Sequence, residues 1–223
     1  MYLKLDFRLI EIGFEIDALE RNLKLIIDLL PQLRESNNLK FEEYCRKNRL
    51  NPGDPDWDFT RQEFNCGVEL ITPRFLIGSF IISIYSVFET SITEIAKLIQ
   101  QTQNQKISIN DLRGYFNERA EKYFDHILNF EYYRDTSFKI AIEILTEVRN
   151  AIVHANGRVE MLKEHNRQKL ERWSKDNQGI TFYNGYLFVE IDCARQIFNK
   201  VKLFLEDLVK RYKEWDNKQK TKS

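Results

Sequence analysis

Apolar residues recur every three or four positions along most of the chain, which is the period of helices that bury one face. The first series predicts a helix from Leu3 to about Leu30 that Pro31 ends or kinks. A polar linker at 36–38 then leads to a brief predicted helix over 41–47. The next residues, NPGDPDWDF, combine two prolines with a glycine and predict a loop.

The clearest helix start is Thr72 followed by Pro73, because a threonine hydroxyl can cap a helix and proline is favoured in its first turn. A long helix is predicted from there to about Gln101. Its apolar side chains cover most of its circumference, which is typical of a central helix packed on several sides. The most apolar part, 76–88, is shorter than a bilayer requires, so we expect no membrane-spanning helix.

Two further helices are predicted in the middle of the chain. Ser108 and Asp111 resemble a capping box, with aspartate in place of glutamate, and open a helix over 108–128. Asp135 is a candidate cap for an amphipathic helix over 138–155. Each of these helices carries apolar residues at helical spacing, so each is expected to bury one face.

The C-terminal third combines helical signals with one hairpin. The Asn-Gly pair at 156–157 supplies the left-handed residue that commonly ends a helix, and 158–176 is predicted to be an exposed, charged helix. A second Asn-Gly pair, at 184–185, lies between two β-rich runs and predicts a hairpin. Asp192 is a candidate cap for the last helix.

Together these elements predict an all-α fold, a compact helical bundle with long central helices and one small β-hairpin. With no repeat, long linker or break in composition, the chain is predicted to form a single domain over 1–223, in which 1–71 is an N-terminal helical elaboration.

Charge and cysteine usage narrow the classes of function. Lysine and arginine total 34, aspartate and glutamate also total 34, and the pI is near 6.9. This balance excludes a chain-wide basic nucleic-acid binder but is compatible with a local basic patch. Cys45, Cys66 and Cys193 lie far apart, which favours a reducing cytoplasm and neither disulfides nor a metal site. We therefore expect no cofactor.

Candidate chemistry centres on a histidine in the segment EVRNAIVHANG. Histidine is the side chain most easily tuned to exchange protons near neutral pH. His154 lies four residues after Asn150, so the two are neighbours on one helical face. Arg149 lies five residues before His154, about 140° away around the same helix. Two copies of the helix facing each other across a symmetry axis would bring both groups into one cleft, which favours a homodimer.

The run from Arg149 to His154 resembles the RNxxxH form of the Arg-x4-6-His signature of HEPN domains, which are compact helical bundles that usually dimerise. The resemblance extends from the helix at Thr72 to the C-terminal helix. It implies a metal-independent endoribonuclease with a composite active site at a homodimer interface, of the kind used as a toxin or defence effector. Arg149, Asn150 and His154 would be its catalytic residues.

The resemblance also assigns roles and partners. His154 would act as acid or base, Arg149 would clamp the phosphate, and Asn150 would orient the imidazole or the phosphate. RNA is the expected substrate, and Arg158 is a candidate RNA-binding residue. An antitoxin protein is an expected partner. Some HEPN proteins carry a tyrosine that a nucleotidyltransferase antitoxin modifies, and Asn156 takes that position here, which argues against that class of antitoxin.

Other interpretations remain open at the level of sequence. Arg149 could pair with a facing carboxylate, and His154 could interact with the C-terminal dipole of its helix. Two other pairs, Arg119 with His126 and Arg158 with His165, fit the bare spacing. The basic residues of 158–176 suit either an RNA path or a solvated helix. The alternative function is a non-catalytic HEPN-like module that binds RNA or a partner protein.

Overall fold

The computed structural model describes residues 6–176 and 179–221, so the predicted start of the first helix at Leu3 lies outside the described residues. The fold class is confirmed: helices surround a long central helix, and the strands form one two-stranded antiparallel hairpin. The described elements are α1 (Phe7–Asn48), α2 (Pro55–Asn65), α3 (Thr72–Thr102), α4 (Phe116–Lys122), α5 (Thr136–Ala155), α6 (Glu164–Asp176), β1 (Ile180–Tyr183), β2 (Tyr186–Val189) and α7 (Ile191–Lys220).

The centre of the fold is α3, which packs against α1, α5 and α7. Its phenylalanine and isoleucine side chains form the middle of one hydrophobic cluster that extends from Ile12 in α1 to Tyr212 in α7. Each such side chain stabilises the fold by about 1.5–3 kcal/mol when it is fully buried. Seven of them on α3 are completely shielded from solvent: Phe80, Ile81, Ile84, Phe88, Ile92, Ile95 and Ile99.

The prediction that α1 ends near Pro31 is wrong, because a single helix of 42 residues runs through this proline. Tertiary contacts hold its second half in place. Asn37, from the predicted linker, donates a hydrogen bond to the carbonyl of Phe64 at 3.1 Å. The ring of Phe41 packs edge-on against Trp57 and Phe64, with centroids 5.3 and 5.6 Å away. These contacts compensate for the backbone donor that Pro31 lacks.

The loop before α2 is shorter than predicted, since Pro55 already begins that helix. The predicted helix start at Thr72 is also corrected. A π-helical segment, Cys66–Ile71, joins α2 to α3, and Ile71 before Thr72 has right-handed helical geometry. The continuous helical run Pro55–Thr102 is the one described helix long and apolar enough to cross a membrane, and its most apolar 18-residue window has a mean hydropathy of 1.7. Half of that window is buried inside the protein. The core helix of a soluble protein can have the same length and composition, so the expectation that no helix spans a membrane stays a prediction.

The predicted helix over 108–128 is divided in the structure. Ser108 and Asp111 do form the capping box, with the Ser108 amide 2.7 Å from the Asp111 carboxylate, but it begins only a 3-10 turn. After α4, the π-helical turn Tyr123–Ile127 follows. Gly114, with a φ of +119°, lies between the 3-10 turn and α4 and interrupts the predicted helix.

In the C-terminal half, the cap of α5 and the turns predicted from adjacent residues are confirmed. Asp135 caps α5 by accepting a hydrogen bond from the Ser137 amide at 2.7 Å. Asn156 and Gly157 both have positive φ angles and end α5. The Asn184–Gly185 turn joins β1 to β2 in the register expected of a two-residue hairpin. The charged segment 158–176 divides into a 3-10 turn, Val159–Met161, and α6, and α7 begins before the predicted cap, Asp192.

Candidate active site

An open cleft of about 480 Å³ lies along the C-terminal half of α5. Tyr85 of α3 lines it together with side chains at the start of α4, and the segment that leads into α6 lines it as well. The cleft contains all three predicted catalytic residues. The residues that line it are Tyr85, Tyr115, Phe116, Thr146, Arg149, Asn150, His154, Ala155, Met161, Leu162, Lys163 and Asn166.

Arg149 and His154 therefore line the same cleft within one chain, which the angular separation along an ideal helix did not predict. Arg149 is half-buried, and its Nη1 donates a hydrogen bond to Oδ1 of Asn150 at 3.0 Å. Its guanidinium carbon lies 4.9 Å from the centre of the Tyr85 ring. The length and flexibility of the arginine side chain let it reach these groups from its own flank of the helix.

The guanidinium of Arg149 is not neutralised by a carboxylate among residues 6–176 and 179–221. The ion pairs in this part of the chain involve other arginines and lysines: Arg8, Arg34, Lys97, Arg134, Lys139, Arg167, Lys169, Arg195, Lys202, Arg211 and Lys220. The Nε of Arg149 is buried and has no hydrogen-bond partner among the described residues. An unpaired guanidinium that borders a cleft is suited to bind an anion such as a phosphate.

His154 lies on the last turn of α5 and is exposed to solvent. It is not enclosed by apolar side chains, so its imidazole can meet a substrate from solution. Of the other two histidines, His126 lies on the π-helical turn after α4, and His165 lies near the start of α6; both are exposed. His154 shares its cleft with an arginine and an asparagine, which the sequence spacing alone did not establish.

Tyr85 is a contributor to the cleft that the sequence did not indicate. Burial raises the pKa of the Tyr85 phenol, the charge of Glu89 raises it further, and Arg149 and Arg119 partly oppose the shift. The phenol is therefore neutral near pH 7, and its ring supports the Arg149 guanidinium through a cation–π contact. Nothing in the apolar pattern of α3 distinguishes Tyr85 from a core residue.

A second cleft, of about 280 Å³, continues from the first and shares Tyr115, Thr146, Asn150 and Asn166 with it. His165 lines it, as do two lysines whose charges are paired. Lys169 contacts Glu147 at 3.0 Å, and Lys139 contacts Glu121 at 2.7 Å. Four glutamates in total line this second cleft: Glu118, Glu121, Glu143 and Glu147.

The sequence left two interpretations of the basic residues in 158–176, an RNA path and a solvated helix, and different residues fit each one. Arg167 pairs with Glu164 at 2.6 Å and lies 3.6 Å from Glu171, so α6 carries neutralised charges on that face. Lys163 instead lines the first cleft. Arg158, the candidate RNA-binding residue, is exposed just beyond the end of α5, and its guanidinium lies 5.9 Å from the centre of the Tyr186 ring.

Across 6–176 and 179–221, no three histidine, cysteine, aspartate or glutamate side chains are grouped so as to hold a metal ion. The three cysteines are free thiols, and two of them, Cys45 and Cys193, are buried.

No protein-family model, curated protein or solved structure matches this chain.

Proposed function

We propose that this protein is a metal-independent endoribonuclease whose catalytic residues are Arg149, Asn150 and His154. One observation carries the proposal. A solvent-exposed imidazole and an arginine without a carboxylate partner line the same cleft, and the arginine is held by the asparagine between them in sequence. The sequence resemblance to HEPN domains points to the same three residues.

The chemistry requires only groups that this cleft contains. RNA carries its own nucleophile, the 2′-hydroxyl. His154 removes the proton from this hydroxyl, the 2′ oxygen forms a bond to phosphorus, and the bond from phosphorus to the 5′ oxygen breaks. The leaving oxygen takes up a proton from an acid or from water. The products are a 2′,3′-cyclic phosphate and a 5′-hydroxyl.

Arg149 would stabilise the negative charge that develops on the phosphate during this reaction. A guanidinium can donate two parallel hydrogen bonds to phosphate oxygens, and it is more effective where little water competes. Asn150 already accepts one bond from Arg149, so it would limit the orientations that the guanidinium samples. A fixed donor costs less reorganisation when the transition state forms.

A homodimer would complete the active site by bringing a second imidazole to the phosphate. The rim of the cleft offers apolar surface for such an interface, because Tyr115 and Met161, which line it, are 69% and 59% exposed. Exposed apolar groups around a polar site are typical of an interaction surface. A two-fold axis beside His154 would pair each motif helix with its copy. The biological role proposed with this activity is that of a toxin or defence effector, with an antitoxin protein as a partner.

The alternative proposal is a non-catalytic module that binds RNA or a partner protein. The second cleft favours the protein partner, because four glutamates line it. Carboxylates repel the RNA backbone, whereas a basic partner protein would be attracted to them. In this alternative, Arg149 serves mainly to pack against Tyr85.

The deciding experiment measures cleavage of total RNA in excess EDTA by the full chain and by two variants, Arg149→Ala and His154→Ala. We expect each variant to lose about 100-fold or more of the activity, which is the usual effect of removing a general acid or base. His126→Ala is the matched control, since it removes an exposed histidine elsewhere.

The His154→Ala and His126→Ala variants should keep the melting temperature of the wild-type chain, because substitutions at exposed positions usually change stability by no more than about 0.5 kcal/mol. For half-buried Arg149, Arg149→Lys provides a second test that keeps the charge and removes the fork. Cleavage that survives in His154→Ala, or that EDTA abolishes, would contradict the proposal.

A further inference from the structure

The ring of Tyr186, at the start of β2, lies near two arginines from separate parts of the chain. The guanidinium carbon of Arg74, on α3, lies 4.2 Å from the ring centre, and that of Arg158 lies 5.9 Å away. The backbone fixes this arrangement. Arg158 and Tyr186 form an isolated β-bridge, and the Leu187 amide donates to the Gly157 carbonyl at 2.8 Å.

Neither arginine has an ion-pair partner in the part of the chain that the structure describes. Arg74 instead donates a long hydrogen bond, 3.4 Å, to the backbone carbonyl of Asn156. Two positive charges held at one ring repel each other, and a bound anion would relieve the repulsion. By contrast, Arg167 and Arg211 each contact a carboxylate within 2.7 Å.

Exposed aromatic rings accompany these charges. Phe75 follows Arg74 in α3, is 51% exposed, and its ring centre lies 5.1 Å from the Arg74 guanidinium. Tyr183, across the hairpin turn from Tyr186, is 52% exposed. Unpaired guanidinium groups beside exposed ring faces are the two elements that proteins combine to bind single-stranded nucleic acid, through phosphate contacts and base stacking.

The cluster adjoins the proposed active site along the chain. Arg158 follows His154 by four residues, and Asn156, which accepts the bond from Arg74, follows it by two. Positioning by this cluster requires that a strand whose scissile phosphate lies at His154 continue past the end of α5, where Asn156 and Arg158 lie. We infer that Arg74, Arg158 and Tyr186 form a binding subsite for single-stranded RNA that positions the substrate beside His154. The positioning role rests on the proposed function, whereas binding by the subsite is separable from it.

The test measures binding by fluorescence anisotropy, using the full chain and a labelled 2′-O-methyl oligouridine of about 15 nucleotides. This probe lacks a free 2′-hydroxyl, so binding is observed without cleavage. Arg74→Gln and Arg158→Gln are each expected to weaken binding about tenfold and to reduce the salt dependence by about one released counterion. Tyr186→Leu is expected to weaken binding by a similar factor through lost stacking.

Arg21→Gln is the matched control, because it removes one positive charge at an exposed position on α1. It should change the dissociation constant less than twofold. The inference is overturned if the wild-type chain does not bind the probe, or if Arg74→Gln and Arg158→Gln bind it as the control does. It is also overturned if Arg74→Gln lowers the melting temperature with no change in binding, since that result would assign Arg74 a structural role at the end of α5.

Failure of the proposed function gives a different pattern of results. A chain that binds the probe through Arg74 and Arg158 but does not cleave RNA would retain the subsite and refute the nuclease. A chain that cleaves RNA through His154 but binds normally after both substitutions would retain the nuclease and refute the subsite.

Discussion

Replacing Arg211 with methionine should destabilise the protein substantially, because this arginine of α7 is buried and bonded at every nitrogen. Its side chain is 5% exposed. Its Nη2 donates to the carbonyl of Tyr132 at 3.0 Å, and its Nη1 donates to the carbonyl of Glu131. Its Nε contacts the Asp207 carboxylate at 2.7 Å. Arg211 thereby fixes the segment that leads into α5.

The size of the effect follows from these contacts. Methionine would leave two backbone carbonyls without their donors, at a cost of about 1–3 kcal/mol each. The Asp207 side chain is 30% exposed, so it can rehydrate, and loss of its pairing adds about 0–1 kcal/mol. Methionine retains the apolar contact with Phe130, over whose ring the guanidinium lies. We therefore expect the free energy of unfolding to fall by about 2–7 kcal/mol, the sum of these contributions.

Urea titration followed by circular dichroism gives this difference from the shift in midpoint at constant slope. The control is Arg134→Met, which removes an arginine that pairs with the Glu131 side chain where both are more than half exposed. That variant should lose no more than about 0.5 kcal/mol. If Arg211→Met loses less than about 1 kcal/mol, then the clamp on these carbonyls does not stabilise the fold and the reasoning fails.

Gly78 lies inside α3, where glycine is less favourable than alanine, and a new Cβ would make an ordinary contact with Ile152 of α5 at 3.5 Å. Gly78→Ala should therefore raise the free energy of unfolding, measured in urea, by about 0.5–1 kcal/mol; destabilisation would contradict this. Gly179→Ala should lower it by about 1–3 kcal/mol, since φ is +107° and the Cβ would approach that of Cys193 to 2.7 Å; an unchanged midpoint would refute this. Burial and Glu190 raise the pKa of the Cys193 thiol to about 11, so in folded protein near pH 8 Ellman's reagent should modify exposed Cys66 first, and equal rates would refute this.

The elements that the sequence predicted well are those decided by a few adjacent residues. Asp135 caps α5 through its own side chain, and the Asn184–Gly185 turn needs only backbone angles that these residues adopt readily. Proline was less informative. Pro31 and Pro73 both lie within continuous helical runs, because contacts with distant residues decide whether such a helix continues.

The candidate site was predictable to the same degree. The sequence alone predicted that Arg149 and His154 lie on one helix. It also predicted that His154, near the end of that helix, is exposed to solvent. Tyr85 and Tyr186 were not predictable in this way, because their positions depend on how α3 and the hairpin pack against α5. Arg74 precedes His154 by eighty residues, so no local pattern could associate the two.

The distal end of the α1–α2 pair is tied together by the rings of Phe41, Trp57 and Phe64, and Phe41 lies outside the main hydrophobic cluster. Opening that end would break few apolar contacts and would leave the shielded side chains of α3 covered. This end of α1 and α2 would therefore unfold locally before the rest of the bundle, and amide exchange and proteolytic nicking would begin there. Its length and sequence can diverge during evolution while the rest of the bundle, with its cleft, stays the same.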